Sequence, residues 1–128
     1  MKFLFVTTFM LIILKNPLLA HGMDKLGPHG GYIKMPGPFH TELLVKGNKI
    51  FVYLLDISFK NALVHNSQVS ATYKGLKTTE TNCLAKKDYF VCDKPKEKLI
   101  LYKEIIIHAV RNNISASGAV YTLPLKLD

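Results

Sequence analysis

Residues 40–57 read His-Thr-Glu-Leu-Leu-Val-Lys-Gly-Asn-Lys-Ile-Phe-Val-Tyr-Leu-Leu-Asp-Ile, and the Gly47-Asn48 step divides them into two apolar runs rich in β-branched and aromatic side chains. Glycine and asparagine tolerate the left-handed backbone of a two-residue turn, so the stretch predicts a β-hairpin. Runs of the same kind recur at 67–74, 76–85, 89–92, 98–110 and 115–125, with short turns between them. Helical periodicity is nearly absent. Even 98–111 is so rich in Ile, Val and Tyr that extended chain is favoured. The expected class is all-β, a single antiparallel β-sandwich of about six to eight strands.

Upstream of the hairpin, residues 21–38 hold Gly22, Gly27, Pro28, Gly30, Gly31, Pro36, Gly37 and Pro38, which predicts an extended, turn-rich arm with one short strand at 32–35. Before it, residues 1–20 read as a secretory signal: Lys2, an apolar run from Phe3 to Leu14, a helix-breaking Lys15-Asn16-Pro17 and a Leu18-Leu19-Ala20 ending. The apolar run of about twelve residues is shorter than the roughly twenty needed to span a bilayer, so cleavage rather than anchoring is expected. The organisation is then signal peptide 1–20, arm 21–38 and β-sandwich domain 39–128, in a mature product that is periplasmic or secreted and has no integral membrane span.

The full chain carries +8, of which Lys2 and Lys15 belong to the signal. The remaining lysines are scattered along the sequence, and Arg111 is the one arginine. Phosphate recognition concentrates cations on one surface, so no nucleic-acid partner is expected. Cys83 and Cys92 flank a charged turn at Lys87-Asp88. Centring the turn there puts the two cysteines opposite each other at a non-hydrogen-bonded pair, where side chains approach most closely. That position predicts a cross-strand disulfide in an oxidising compartment.

Soft and imidazole donors crowd the first twenty mature residues: His21, Met23, His29, Met35, His40 and, beside them, Glu42. Cleavage after Ala20 would give His21 an α-amino nitrogen and an imidazole in one residue, a chelate suited to divalent copper. The thioethers of Met23 and Met35 select monovalent copper or silver. His40 and Glu42 fall on one face of a strand, about 6.5–7 Å apart, as ligand pair or as ligand and orienting partner. A metal ion, copper first and zinc or silver next, is therefore the expected cofactor. His65 reads as a loop residue, and His108, on the face of Ile106 and Val110, as a satisfied or half-buried core histidine.

The run Gly27-Pro28-His29-Gly30-Gly31-Tyr32-Ile33, then Phe39-His40-Thr41-Glu42-Leu43 and Val52-Tyr53-Leu54-Leu55-Asp56, resembles a small β domain of periplasmic adaptor subunits of heavy-metal efflux pumps and of related exported metal-handling proteins. The resemblance implies a role in handling copper, silver or zinc, with His29 and Glu42 as the positions that carry over; His40 is not among them. It implies as partner an efflux-system or other periplasmic protein. The adaptors' coiled-coil hairpin and barrel modules have no counterpart here, which points to a free-standing binding protein. A looser likeness, resting on His21, is to small exported copper-resistance proteins; the sandwich expected is like theirs or immunoglobulin-like.

Catalysis is not expected. The chain has no Gly-x-Ser-x-Gly elbow, no His-Glu-x-x-His and no glycine-rich phosphate loop. A histidine-brace oxidase built on His21 with His29, His40 or His108 is the one enzyme class that can be assembled. The other reading is an exported sandwich that binds a protein partner without metal, favoured by the abundance of tyrosine and phenylalanine.

Overall fold

The computed structural model describes residues 24–128. They form an all-β fold of two antiparallel sheets packed face to face. Ten strands occur in chain order: β1 (Tyr32–Lys34), β2 (His40–Lys46), β3 (Lys49–Leu55), β4 (Gln68–Gly75), β5 (Thr78–Asn82), β6 (Leu84–Lys86), β7 (Tyr89–Asp93), β8 (Tyr102–Arg111), β9 (Ile114–Ser115) and β10 (Ala119–Thr122). One sheet runs β1-β2-β3-β7-β6; the other runs β10-β8-β4-β5, with β9 paired to β8.

The hairpin expected at 40–57 is β2–β3, in register from His40↔Leu55 to Lys46↔Lys49, with Gly47 at φ +57° in its turn. Along β3, Ile50, Val52 and Leu54 are fully buried. They meet Ala71 and Tyr73 of β4, Ile105 and Ile107 of β8 and Tyr121 of β10 in one core between the sheets. The strands outnumber the expectation because two stretches each break in two. Residues 76–85 divide at Cys83 into β5 and β6, which lie in different sheets, and 115–125 divides into β9 and β10. The front of 98–110 is a 3-10 turn, Leu99–Leu101, rather than strand.

The disulfide forms as the turn geometry implied. β6 and β7 pair Leu84↔Val91, Ala85↔Phe90 and Lys86↔Tyr89, so one step further out Cys83 faces Cys92, with Cα atoms 4.3 Å apart and sulfurs bonded. His108 shares the face of Ile106 and Val110, as expected, but that face is not the core. The core face of β8 is Ile105, Ile107 and Ala109, so His108 stands on the opposite, exposed face, where Thr72 Oγ1 lies 3.2 Å from Nε2. Among the described residues no helix is long and apolar enough to cross a membrane.

Candidate metal-binding site around His29 and Glu42

On β2, Thr41 and Leu43 point into the core, which sends His40, Glu42 and Leu44 to the outer face of the first sheet. A carboxylate on an outer face would ordinarily be solvated. Glu42 instead is fully buried, because the arm folds over it. β1 pairs Ile33 with Glu42, and the turn just before it, closed by Gly30 N–H donating to the Gly27 carbonyl at 2.9 Å, lies across the carboxylate. The glycines make this approach possible. A Cβ on Gly27 would lie 2.6 Å from Glu42 Oε1, and one on Gly31 would lie 2.7 Å from Glu42 Cγ and 2.8 Å from the Leu43 carbonyl oxygen.

Three hydrogen bonds compensate the buried carboxylate. The backbone N–H groups of His29 and Gly31 donate to Oε1 at 2.8 and 3.0 Å, and His29 Nδ1 lies 2.7 Å from Oε2. A carboxylate can only accept, so the ring nitrogen donates. This tautomer leaves the lone pair of the neutral imidazole on Nε2, at the far side of the ring. The ring lies flat on Tyr53, centroids 3.7 Å apart and planes 5° from parallel, and about a third of the side chain (33%) is exposed. Tyr53 stands opposite Glu42 on β3 and continues into a row of aromatics with Tyr89 and Phe51. Burial, then the nearby charge of Asp88, pushes the Tyr53 phenol above its usual range.

Chemically, this is an imidazole fixed in orientation and tautomer by a carboxylate, the arrangement by which many metal-ligating histidines are held. His40 takes a different part. Its Nδ1 lies 3.0 Å from the Asp56 carbonyl oxygen and its ring stacks on Phe59 at 4.1 Å, so it secures the loop after β3. That loop is organised by the Asp56 carboxylate, which accepts from the backbone of Ser58 and Lys60 and from Asn61 Nδ2. These bonds, the one from the Lys60 backbone foremost, hold Asp56 below the usual carboxylate range. Met35 stands exposed just beyond β1, and His65 is exposed in a loop, as expected. His21 and Met23 lie outside the described residues. Among the described residues, no three His, Cys, Asp or Glu side chains are grouped to share one ion. Of the four donors singled out in the sequence that lie among the described residues (His29, Met35, His40 and Glu42), His29 and Glu42 are the two brought into contact.

Tyr53, which lies within the run 52–56, was not among the expected site residues. Its signal was its register across the Gly47-Asn48 turn, which places it beside Glu42. No protein-family model matches the chain, and no curated protein and no solved structure matches it.

Proposed function

We propose that the chain is an exported metal-binding protein that handles copper, or else silver or zinc, in heavy-metal traffic, with His29 as its fixed imidazole ligand and Glu42 as the carboxylate that orients it. The observation that carries this reading is the buried Glu42 carboxylate, two of whose three hydrogen bonds come from His29 itself. Burying a carboxylate is costly, and here the burial fixes which nitrogen of His29 offers a lone pair. His21 and Met23 are the donors proposed to complete the ligand set once the signal is removed. The disulfide is compatible with an oxidising, exported setting. The proposed role is binding rather than catalysis, in partnership with an efflux-system or other periplasmic protein.

The test uses protein recovered after export, with intact mass establishing whether it starts at His21. Calorimetric titration with divalent copper, zinc, silver and, under reductant, monovalent copper is expected to show sub-micromolar binding to at least one of them. The His21→Ala, His29→Ala double variant is expected to lose it. Glu42→Gln can still accept from both backbone N–H groups, but its amide would donate to Nδ1 and shift the ring proton to Nε2. It should weaken binding by about tenfold to a hundredfold while near-ultraviolet circular dichroism stays native. Unchanged affinity in the double variant would turn the reading to a metal-free interaction module, for which the row of Tyr53, Tyr89 and Phe51 beside His29 is the favoured contact surface.

A further inference from the structure

Three connections meet at one end of the sandwich: the β2–β3 turn, the β4–β5 turn, and the long segment from β7 through the 3-10 turn to β8. Strand register and one bond between the sheets hold them together. Lys49 lies opposite Asp93, Gly75 lies opposite Tyr102, and the Tyr73 hydroxyl donates to the Asp93 carbonyl at 2.8 Å. Gly75 sits so close to the 3-10 turn that a Cβ there would come within 2.5 Å of the Leu101 carbonyl oxygen.

This end carries the two most exposed aliphatic side chains of the described residues, Leu76 at 97% and Ile100 at 86% exposure, with Leu101 and Val45 also exposed. Between Val45, Leu99, Ile100, Tyr102, Leu123 and Leu125 runs an apolar groove of about 390 Å³. The same end is where the charge lies. Segments 45–49, 74–78 and 93–104 hold eight lysines against Asp93, Glu97 and Glu104, a balance of +5 out of the +6 borne by residues 24–128. The lysines that looked scattered along the sequence are thus gathered by the fold. Asp93 pairs with Lys49, Glu97 with Lys77, and Glu104 faces Lys74 across the strands. The other five lysines have no ion-pair partner among the described residues.

We propose that this end docks on an anionic lipid bilayer, with Leu76 and Ile100 entering the boundary between headgroups and acyl chains and the lysines meeting the headgroups. Protruding aliphatics in a lysine field suit a fluid anionic surface, since lysine stems can lie along apolar material while their ammonium groups reach outward. A tight protein interface would centre on tryptophan, tyrosine or arginine, and a nucleic-acid surface on arginine forks or exposed aromatics. The three segments hold no arginine, and Tyr102, their one aromatic residue, is buried, as is the adjoining Tyr73. The proposal shares no residue with the His29 site.

Protein recovered after export is sedimented with phosphatidylcholine vesicles and with mixed phosphatidylcholine–phosphatidylglycerol vesicles, across a salt series. The expected result is binding to the mixed vesicles that weakens with salt, and little to phosphatidylcholine alone. Leu76→Ser, Ile100→Ser should lower partitioning at least about tenfold, and Lys96→Glu, Lys98→Glu by a similar factor. All four side chains face solvent, so circular dichroism and thermal melting should stay native. No binding to the mixed vesicles overturns the proposal. Full binding by Leu76→Ser, Ile100→Ser also overturns it, since that marks adsorption by charge alone, as an acidic macromolecule would produce equally well.

Discussion

Gly31 has no freedom to be anything larger. It lies within β1's approach to β2, with the Leu43 carbonyl, Glu42 Cγ and Leu44 Cδ1 each less than 3.0 Å from where a Cβ would be. Gly31→Ala should therefore destabilise the domain by about 1–3 kcal/mol, because backbone cannot yield as a flexible side chain can. It should also lift the turn from Glu42, separating the His29 N–H and ring from the carboxylate. Urea unfolding measures the first effect, and an NMR shift of the His29 ring the second; native values for both would mean that the turn is not seated as described. The site was legible in the sequence as residue types, Pro-His-Gly-Gly followed by a glutamate, but not as a contact. Strand alternation placed His40 and Glu42 on one face correctly and could not say what covers each. Glu42 is covered by His29 and Gly31, whereas His40 is covered by Phe59, whose left-handed backbone (φ +61°) no pattern in the sequence announced.

Within the first sheet, β6 is the strand held least by packing. All three residues of β6 are exposed, and its one strand partner is β7. What holds it are the hairpin ladder and the Cys83–Cys92 bond at its open end, just where the chain leaves β5 and changes sheets. On the chain-entropy estimate, closing so short a loop contributes about 2–3 kcal/mol, which Cys83→Ser, Cys92→Ser would remove. Hydrogen exchange should then accelerate first at 83–86 while β4 and β8 keep their protection; uniform acceleration would show that the bond stabilises the sandwich as a whole instead. The hairpins at 40–55 and 84–93 were readable because each has a turn with a clear signal between runs of matching length. The corner at Cys83 was not, since Thr78 to Lys86 offers no glycine or proline to mark where one sheet ends. On β8 the run of isoleucines at 105–107 erased the alternation, so the pattern did not distinguish the core face of Ile105, Ile107 and Ala109 from the outer face that His108 shares with Ile106 and Val110.

Taken whole, the two sheets are joined by polar bonds as well as by the core. The Tyr121 hydroxyl on β10 donates to the Thr41 carbonyl on β2 at 3.0 Å and receives the Thr41 hydroxyl at 2.7 Å. Tyr73 on β4 donates to the Asp93 carbonyl on β7, and Arg111 at the end of β8 donates to the Leu54 carbonyl on β3 at 3.2 Å. Burial pushes both phenols well above their ordinary value of 10.0. The sign of the consequence follows from proton counting. Below about pH 10 both states keep these protons, and stability does not depend on them. Above it the unfolded chain releases them while the native state holds on, so stability falls by about 1.4 kcal/mol per pH unit for each phenol. Two of the six tyrosines should therefore ionise only as the protein unfolds, visible as tyrosinate absorbance rising together with loss of circular dichroism. Tyr121→Phe should lower stability near neutrality by about 1 kcal/mol and flatten the alkaline slope, because one of the two responsible groups is gone. Reversible titration of all six tyrosines near pH 10 with the fold intact would show that neither hydroxyl is sealed between the sheets, and with it the account of how the sheets are tied together would fail.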